Sequence, residues 1–230
     1  MTVSDTTPPA ITCPQASSVS MGDGCRGAIP DLLANLVATD NCSSPASLLK
    51  TQNPAAGTPV GAGSHIVEVT VTDETGNRSL CLTSVSAHDT VAPVITAITA
   101  NPGQLWPPNH HMVKINLVVS VVDNCDPAPL CRIVSIQSNE PVTGPGDQTC
   151  PDSSITGPLS ANLRSEKAND DFARLYTLTV ECTDSAGNRS TATVAIPVVK
   201  QVEESYLRIE KTRLQKPANR RQKENSNKRR

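Results

Sequence analysis

From Ile66 to Asp73 apolar and polar side chains alternate, with Val67, Val69 and Val71 on one face and Glu68, Thr70 and Thr72 on the other. A period of two is that of a half-buried β-strand. The same parity returns further on, where Tyr176, Leu178, Val180 and Cys182 alternate with Thr177, Thr179 and Glu181. Each run ends in a Thr-Asp-x-x-Gly-Asn phrase, TDETGNRS from Thr72 and TDSAGNRS from Thr183. Alternation then resumes, through Cys81, Thr83 and Val85 in one case and Ala192, Val194 and Ile196 in the other. Both segments predict a hairpin between two late strands. Gly76 and Gly187 supply the positive φ of the turn, and Asp73, Asn77, Asp184 and Asn188 hydrogen-bond the local backbone. A third alternating run, Val113, Ile115, Leu117, Val119 and Val121, leads to Asp123, and helical periodicity is weak ahead of Lys200.

Two further phrases recur in the same order. Asp-Thr-x-x-Pro begins at Asp5 and again at Asp89, and Asp-Asn-Cys begins at Asp40 and again at Asp123. Three ordered matches mean that one unit has been written twice. The step of 84 residues from Asp5 to Asp89 predicts domains at 1–89 and 90–199, with a tail at 200–230. In the second copy the distance from Asp-Asn-Cys to the late turn nearly doubles, so an inserted loop is expected at about 140–174. Short strands at regular spacing, separated by Pro-rich polar turns, indicate an all-β chain of two tandem sandwiches.

Composition adds a constraint on stability. One Trp, one Phe and two Tyr leave Val, Ile, Leu and Ala to build both cores. Domains of this size are marginal, so covalent staples are useful. Eight Cys are present, without zinc-ribbon spacing or a CxxC motif. Even the nearest pair, Cys125 and Cys131, has Asp126, Pro127 and Pro129 between its members. Disulfides are the reading, and they imply an oxidising, extracytoplasmic compartment. MTVSDTTPP has neither a basic start nor an apolar run, which reads as a piece of a larger exported protein rather than a signal peptide. No apolar stretch is long enough to predict a membrane span.

At this point a resemblance becomes specific. The order DTTPPAITCP, TDNCS, VGAGSH, VTVTDETGN, RSLC and HDTVAP resembles the hyalin repeat, or HYR, domain over about Asp5 to Asp89, and the second copy resembles a diverged relative. The resemblance implies an immunoglobulin-like fold in both copies and a place in extracellular or cell-surface proteins associated with adhesion. With that association, the chain reads as a non-enzymatic structural or adhesion module pair, expected to be monomeric and to meet a protein or glycan at a cell surface.

Laying the copies over one another sets Cys13 against Ala97 and Cys81 against Ala192. Both members of a pair exchange for Ala together, so a Cys13–Cys81 bond is expected, and Cys25–Cys42 follows by elimination. In the second copy Cys182 faces the core near the start of the Cys131 strand, which favours Cys131–Cys182 and leaves Cys125–Cys150. Four cysteines allow three connectivities.

The candidate chemistry is sparse. Asp5, Asp40, Asp73 and Asp89, with Asn41 and Asn77, offer hard oxygen ligands for calcium. The alternative is that each Asp closes its own turn, since no DxDxDG loop is present and no other cofactor is expected. His65 and His88 stand alone, while His110 and His111 in LWPPNHHM lie near Trp106 in a segment expected to pack as a rigid loop. No Ser has a GxSxG context and no Gly-rich loop opens a helix, so catalysis is not expected. Asp170 and Asp171 read as solvated acids, and the 139–158 segment, with Gly144, Pro145, Gly146, Asp147 and Cys150, as a candidate binding loop or a variable connection. From Lys200 on, eleven Lys or Arg face four Glu, so the first 199 residues carry a net −9. That tail is expected to be disordered or partly helical. It supports an alternative function in binding a polyanion, glycan or nucleic acid, although it lacks aromatic residues interleaved for base stacking. A third reading makes these modules accessories of an enzyme whose catalytic domain lies elsewhere.

Overall fold

The computed structural model describes residues 4–141, 150–167 and 173–200. The basic tail beyond Lys200, Gly144, Pro145, Gly146, Asp147, Asp170 and Asp171 lie outside the described residues. Every described element is a strand. In chain order they are β1 (Ala10–Ile11), β2 (Ser17–Ser20), β3 (Gly27–Ala28), β4 (Ala38–Thr39), β5 (Leu49–Asn53), β6 (Pro59–Val60), β7 (Gly63–Thr72) and β8 (Arg78–His88). The second copy supplies β9 (Val94–Asn101), β10 (Met112–Val122), β11 (Leu130–Ser138), β12 (Ser153–Gly157), β13 (Ser160–Arg164), β14 (Arg174–Thr183) and β15 (Arg189–Val198). The described residues are all-β, arranged in several sheets. The chain folds into two compact units: one of residues up to Thr99 with Val118–Val134 and Thr179–Thr193, the other of Ala100–Leu117, Ser135–Leu178 and the residues from Val194 on.

In the first unit the hairpin β7–β8 is the centre of a four-stranded sheet ordered β2-β8-β7-β5. Thr72 opposite Arg78 closes it around TDETGN, and Gly63 opposite Ala87 ends it. β2 runs parallel to β8, whereas β5 and β7 are antiparallel. Val67, Val69 and Val71 are fully buried, as the alternation requires, while Ile66, Leu80 and Leu82 stay outside. Against that inner face the chain lays β3–β6 and β1–β4. Met21, Ile29, Val60, Val67, Val85 and Ala87 form one core cluster, and Leu36, Ala38, Leu48, Val69, Val71 and Cys81 another. Neither contains an aromatic ring. Cys13 is bonded to Cys81 and Cys131 to Cys182.

Two disulfide expectations are corrected. Cys25 is bonded to Cys125 rather than to Cys42, and Cys125 is therefore not bonded to Cys150; Cys42 and Cys150 are free and exposed. Cys25 and Cys125 both belong to the first compact unit and both pack against the Met21–Val67 core cluster. Pairing by elimination confines each bond to its own copy, and packing has no such restriction.

The segment expected as an inserted loop also differs. Residues 153–164 form the β12–β13 hairpin, and β13 pairs with β10 from Met112 opposite Arg164 to Asn116 opposite Ser160. The sheet order is β12-β13-β10-β9. Only Ala161 and Leu163 face inward from β13, too few apolar positions to register as a strand in the sequence. Trp106, expected to be packed, is 56% exposed, and its neighbour Leu105 is the buried residue.

The second unit contains an ionic core. Arg174, at the start of β14, is fully buried with Glu166 and Asp152. Its guanidinium donates to Glu166 Oε1 at 3.0 Å, to Asp152 Oδ2 and to Ser138 Oγ, and lies 4.9 Å from the Tyr176 ring centroid. Burial, with a hydrogen bond shared with Glu166, pushes Asp152 up to about 6 against the pull of Arg174. In the unfolded chain that carboxyl titrates near its ordinary 3.8, so between these values the folded state holds the extra proton and stability from Asp152 falls as pH rises. Removing one partner of such a group strands the others. Arg174→Met is expected to cost about 3–5 kcal/mol in urea unfolding. Arg132→Met, which breaks the exposed pair with Glu181, should cost about 0–1 kcal/mol. Equal losses would show that the buried cluster does not hold the unit together.

Candidate functional site

Each Thr-Asp-x-x-Gly-Asn turn folds around its own carboxylate. Asp73 Oδ1 accepts from the Asn77 and Thr75 amides at 2.8 and 2.9 Å, and Asp73 Oδ2 accepts from Asn77 Nδ2 at 2.7 Å. The second copy repeats this: Asp184 Oδ1 accepts from the Asn188 amide at 2.8 Å and Oδ2 from Asn188 Nδ2 at 2.9 Å. Gly76 and Gly187 both sit at φ 93°. The Asn side chains then reach out of the turn. Asn77 Nδ2 donates to the Asp5 carbonyl at 3.2 Å and Asn188 Nδ2 to the Asp89 carbonyl at 3.3 Å, so each turn holds the lead-in of its own copy. Burial raises the two turn carboxyls, but their hydrogen bonds outweigh it and hold both below the ordinary value of 3.8; the donors are Asn77 and Thr75 for Asp73, and Asn188, Gly187 and Ala186 for Asp184.

The Asp-Asn-Cys phrases form a second recurrent loop at the same places. Asp40 Oδ2 accepts from the Cys42 and Ser43 amides at 2.9 and 2.8 Å, and Asp123 Oδ2 from the Cys125 and Asp126 amides at the same two distances. Asp5 Oδ1 accepts from Thr7 and Asp89 Oδ1 from Val91, each amide at 3.0 Å. Lead-in, loop and turn converge. Asp5, Asp40 and Asp73 bring one carboxylate oxygen each within 4.8 Å of one another, and so do Asp89, Asp123 and Asp184. Three like charges at that spacing repel unless a cation or proton lies among them.

Part of each pole is also unsatisfied. Asp5 Oδ2 and Asp40 Oδ1 in the first, and Asp123 Oδ1 in the second, are buried without a hydrogen-bond donor. Buried acceptors of this kind are costly, and hard oxygen atoms converging from three loops are what calcium takes. The first pole also raises the Cys42 thiol, through desolvation and then the charges of Asp5, Asp40 and Asp73.

Of the sequence candidates, Asp5, Asp40 and Asp73 come together and Asp89 does not join them. Asp89 belongs to the second pole with Asp123 and Asp184, which lie outside the calcium candidates that the sequence offers. The repeat itself carried that signal, because Asp5, Asp40 and Asp73 correspond in order to Asp89, Asp123 and Asp184. Asn77 acts as an amide donor within its turn. Asn41 is exposed, its amide 3.2 Å from Cys42 Sγ and 3.5 Å from Asp5 Oδ1. The histidines do not cluster: His65 Nε2 contacts the Gly61 carbonyl at 2.8 Å, and His110 Nδ1 contacts Glu166 Oε2 at 3.0 Å. No helix of the described residues is long and apolar enough to cross a membrane.

The turn geometry gives two expectations. A Cβ at residue 76 would meet nothing within 4 Å, so Gly76→Ala should act through backbone strain alone and cost about 1–3 kcal/mol in thermal or urea unfolding. A neutral effect would mean that the turn relaxes out of φ 93°. The stabilisation from Asp73 and Asp184 is fully present above 3.8 and is lost as pH falls through their depressed folded values. Asp73→Asn should therefore lower stability at pH 7 and flatten its decline in acid.

The HYR domain family model matches residues 4–87. Among solved structures, the chain is similar to PcdhgB3 EC1-4 at 13% identity, covering 85% of this chain and 50% of that one with a TM-score of 0.36. It is similar to human protocadherin-24 EC1-2 at 14% identity, covering 86% of this chain and all of that one with a TM-score of 0.38. Against the Sidekick-1 immunoglobulin domains 1–5 the identity is 12%, the coverage 84% and 39%, and the TM-score 0.34. The chain thus spans half the length of the first of these. No curated protein matches it. The matched segment runs from just before Asp5 to just before Asp89, so the likeness to the HYR domain family covers the first copy and stops short of the second.

Proposed function

We propose that this chain is a non-enzymatic length of an extracellular protein, two HYR-like modules serving as a spacer or adhesion unit whose carboxylate poles hold calcium. The HYR match at residues 4–87 supports an extracellular, adhesion-type module, and three disulfides fit that compartment. The second copy is a diverged module of the same kind, with the same lead-in, Asp-Asn-Cys loop and late turn. The observation that carries the calcium reading is the duplicated pole, in which three carboxylates converge twice and buried oxygen atoms lack donors both times. A cation there would offset the repulsion and fix each module's lead-in to its turn. The partner is a protein or glycan on a cell surface.

Calcium sites of extracellular modules bind at about 10⁻⁴–10⁻³ M. Calcium at ten times such a dissociation constant stabilises by about 1.4 kcal/mol, worth a rise of about 5 °C or more in the melting midpoint. The full chain should show this rise at millimolar calcium and lose it in chelator. Asp40→Asn should remove the contribution of the first pole, and Asp123→Asn that of the second. No shift at millimolar calcium would remove the cation from the proposal.

Adhesion is tested separately. The fluorescently labelled full chain should bind cells saturably, and protease or glycosidase treatment of those cells should identify the partner's class. Binding that disappears when residues 201–230 are deleted would instead assign the activity to the basic tail.

A further inference from the structure

The Cys25–Cys125 bond has a donor half and an acceptor half. The donor is the tight GDGC hairpin, in which the Gly22 amide donates to the Arg26 carbonyl at 3.0 Å and the Cys25 amide to the Gly22 carbonyl at 3.1 Å. Gly24 and Cys25 both adopt left-handed φ, 70° and 57°. The acceptor is the Asp-Asn-Cys loop. Besides the disulfide, Asn124 Nδ2 donates to the Met21 and Gly22 carbonyls at 3.1 and 3.2 Å, so one asparagine holds the backbone of the hairpin that its neighbour Cys125 captures.

The first copy carries the same acceptor. Asp40 clasps the Cys42 and Ser43 amides as Asp123 clasps those of Cys125 and Asp126. Asn41 Nδ2 lies 3.2 Å from Cys42 Sγ, as Asn124 Nδ2 lies 3.4 Å from Cys125 Sγ. Here no hairpin is engaged: Asn41 is exposed, and the Cys42 thiol is free and exposed. Cys25 is already bonded. Cys42 follows Cys25 by only 17 residues, whereas the bonded pair is 100 apart. The second copy is no donor either, since its comparable left-handed residue ahead of β10 is His110, at φ 64°.

We propose that Asp40, Asn41 and Cys42 are the acceptor for the Gly-x-Gly-Cys hairpin of another module of this type placed ahead of them in the same polypeptide. The hairpin's thiol and Cys42 each give up a proton and an electron to oxidised glutathione, which is reduced to two thiols as the new S–S bond forms. Asn41 takes the hairpin's backbone carbonyls. Successive modules are thus joined by bonds that skip from the hairpin of one to the loop of the next. The inference rests on the repeat reading and not on adhesion, so its failure would leave the adhesion proposal standing.

The test adds a second copy of residues 5–88 directly ahead of Asp5 in the full chain. After folding in a glutathione redox buffer, peptide mapping should find the added Cys25 bonded to the original Cys42, which then resists alkylation. In the unextended chain Cys42 should alkylate fully. Persistent Cys42 reactivity in the extended chain, with the Cys13–Cys81 bond formed in both copies, would overturn the proposal. Should the extended chain fail to fold, a full chain carrying Asn124→Ala and Cys125→Ser presents its freed Cys25 to the unaltered chain. Cys42 should then be captured in preference to the equally exposed Cys150 by about tenfold or more, because docking raises the local thiol concentration. Asn41→Ala in the acceptor should abolish that preference. Equal capture of Cys42 and Cys150, or dominant Cys42–Cys42 pairing, would overturn the proposal.

Discussion

A carboxylate enclosed by its own turn, Asp73 in one copy and Asp184 in the other, sets the geometry on which each pole depends. Its two oxygens take the amide and side chain of the Asn four residues on, and that side chain is thereby aimed at the carbonyl of the lead-in Asp. The clasp acts as a turn closure and as a long-range tie, bridging 72 residues in the first copy and 99 in the second. The first copy's two core clusters are small and hold no aromatic ring, so such ties have large relative weight there. The two readings of these Asp residues, as turn formers or as cation ligands, are compatible. Hydrogen bonds satisfy the turn Asp, while Asp5, Asp40 and Asp123 each keep an oxygen without a donor.

Much of this was legible because local chemistry determined it. Val67, Val69 and Val71 have to share a face, and Gly-Asn after Asp has to turn. The order of three recurring phrases mapped Asp5, Asp40 and Asp73 onto Asp89, Asp123 and Asp184 without any knowledge of distance. The Cys13–Cys81 pair was visible because its two members are replaced together by Ala97 and Ala192. Cys25–Cys125 was hidden for the opposite reason. It links non-equivalent phrases of different copies, and no exchange between the copies marks it.

The ionic core was also hidden. Asp152, Glu166 and Arg174 are separated by 14 and 8 residues in a polar, Pro-containing stretch, which by composition reads as solvated loop. Their burial depends on β12–β13 joining β10, and that hairpin has only Ala161 and Leu163 to announce its inner face. Where apolar pattern is short, a buried guanidinium paired with two carboxylates can specify the arrangement, because alternative arrangements strand a buried charge.

The disulfides further show why connectivity matters more than number. In isolation a 100-residue loop such as that closed by Cys25–Cys125 contributes about 4.7 kcal/mol of denatured-state entropy. With Cys13–Cys81 already formed, the shortest path between the two runs 12 residues back to Cys13, across that bond, and 44 residues on from Cys81 to Cys125. The effective loop is then 56 residues, which lowers the contribution by only about 0.5 kcal/mol, since closure entropy grows with the logarithm of length. Nesting costs little, so a bond that crosses from hairpin to loop keeps nearly all of its stabilising effect.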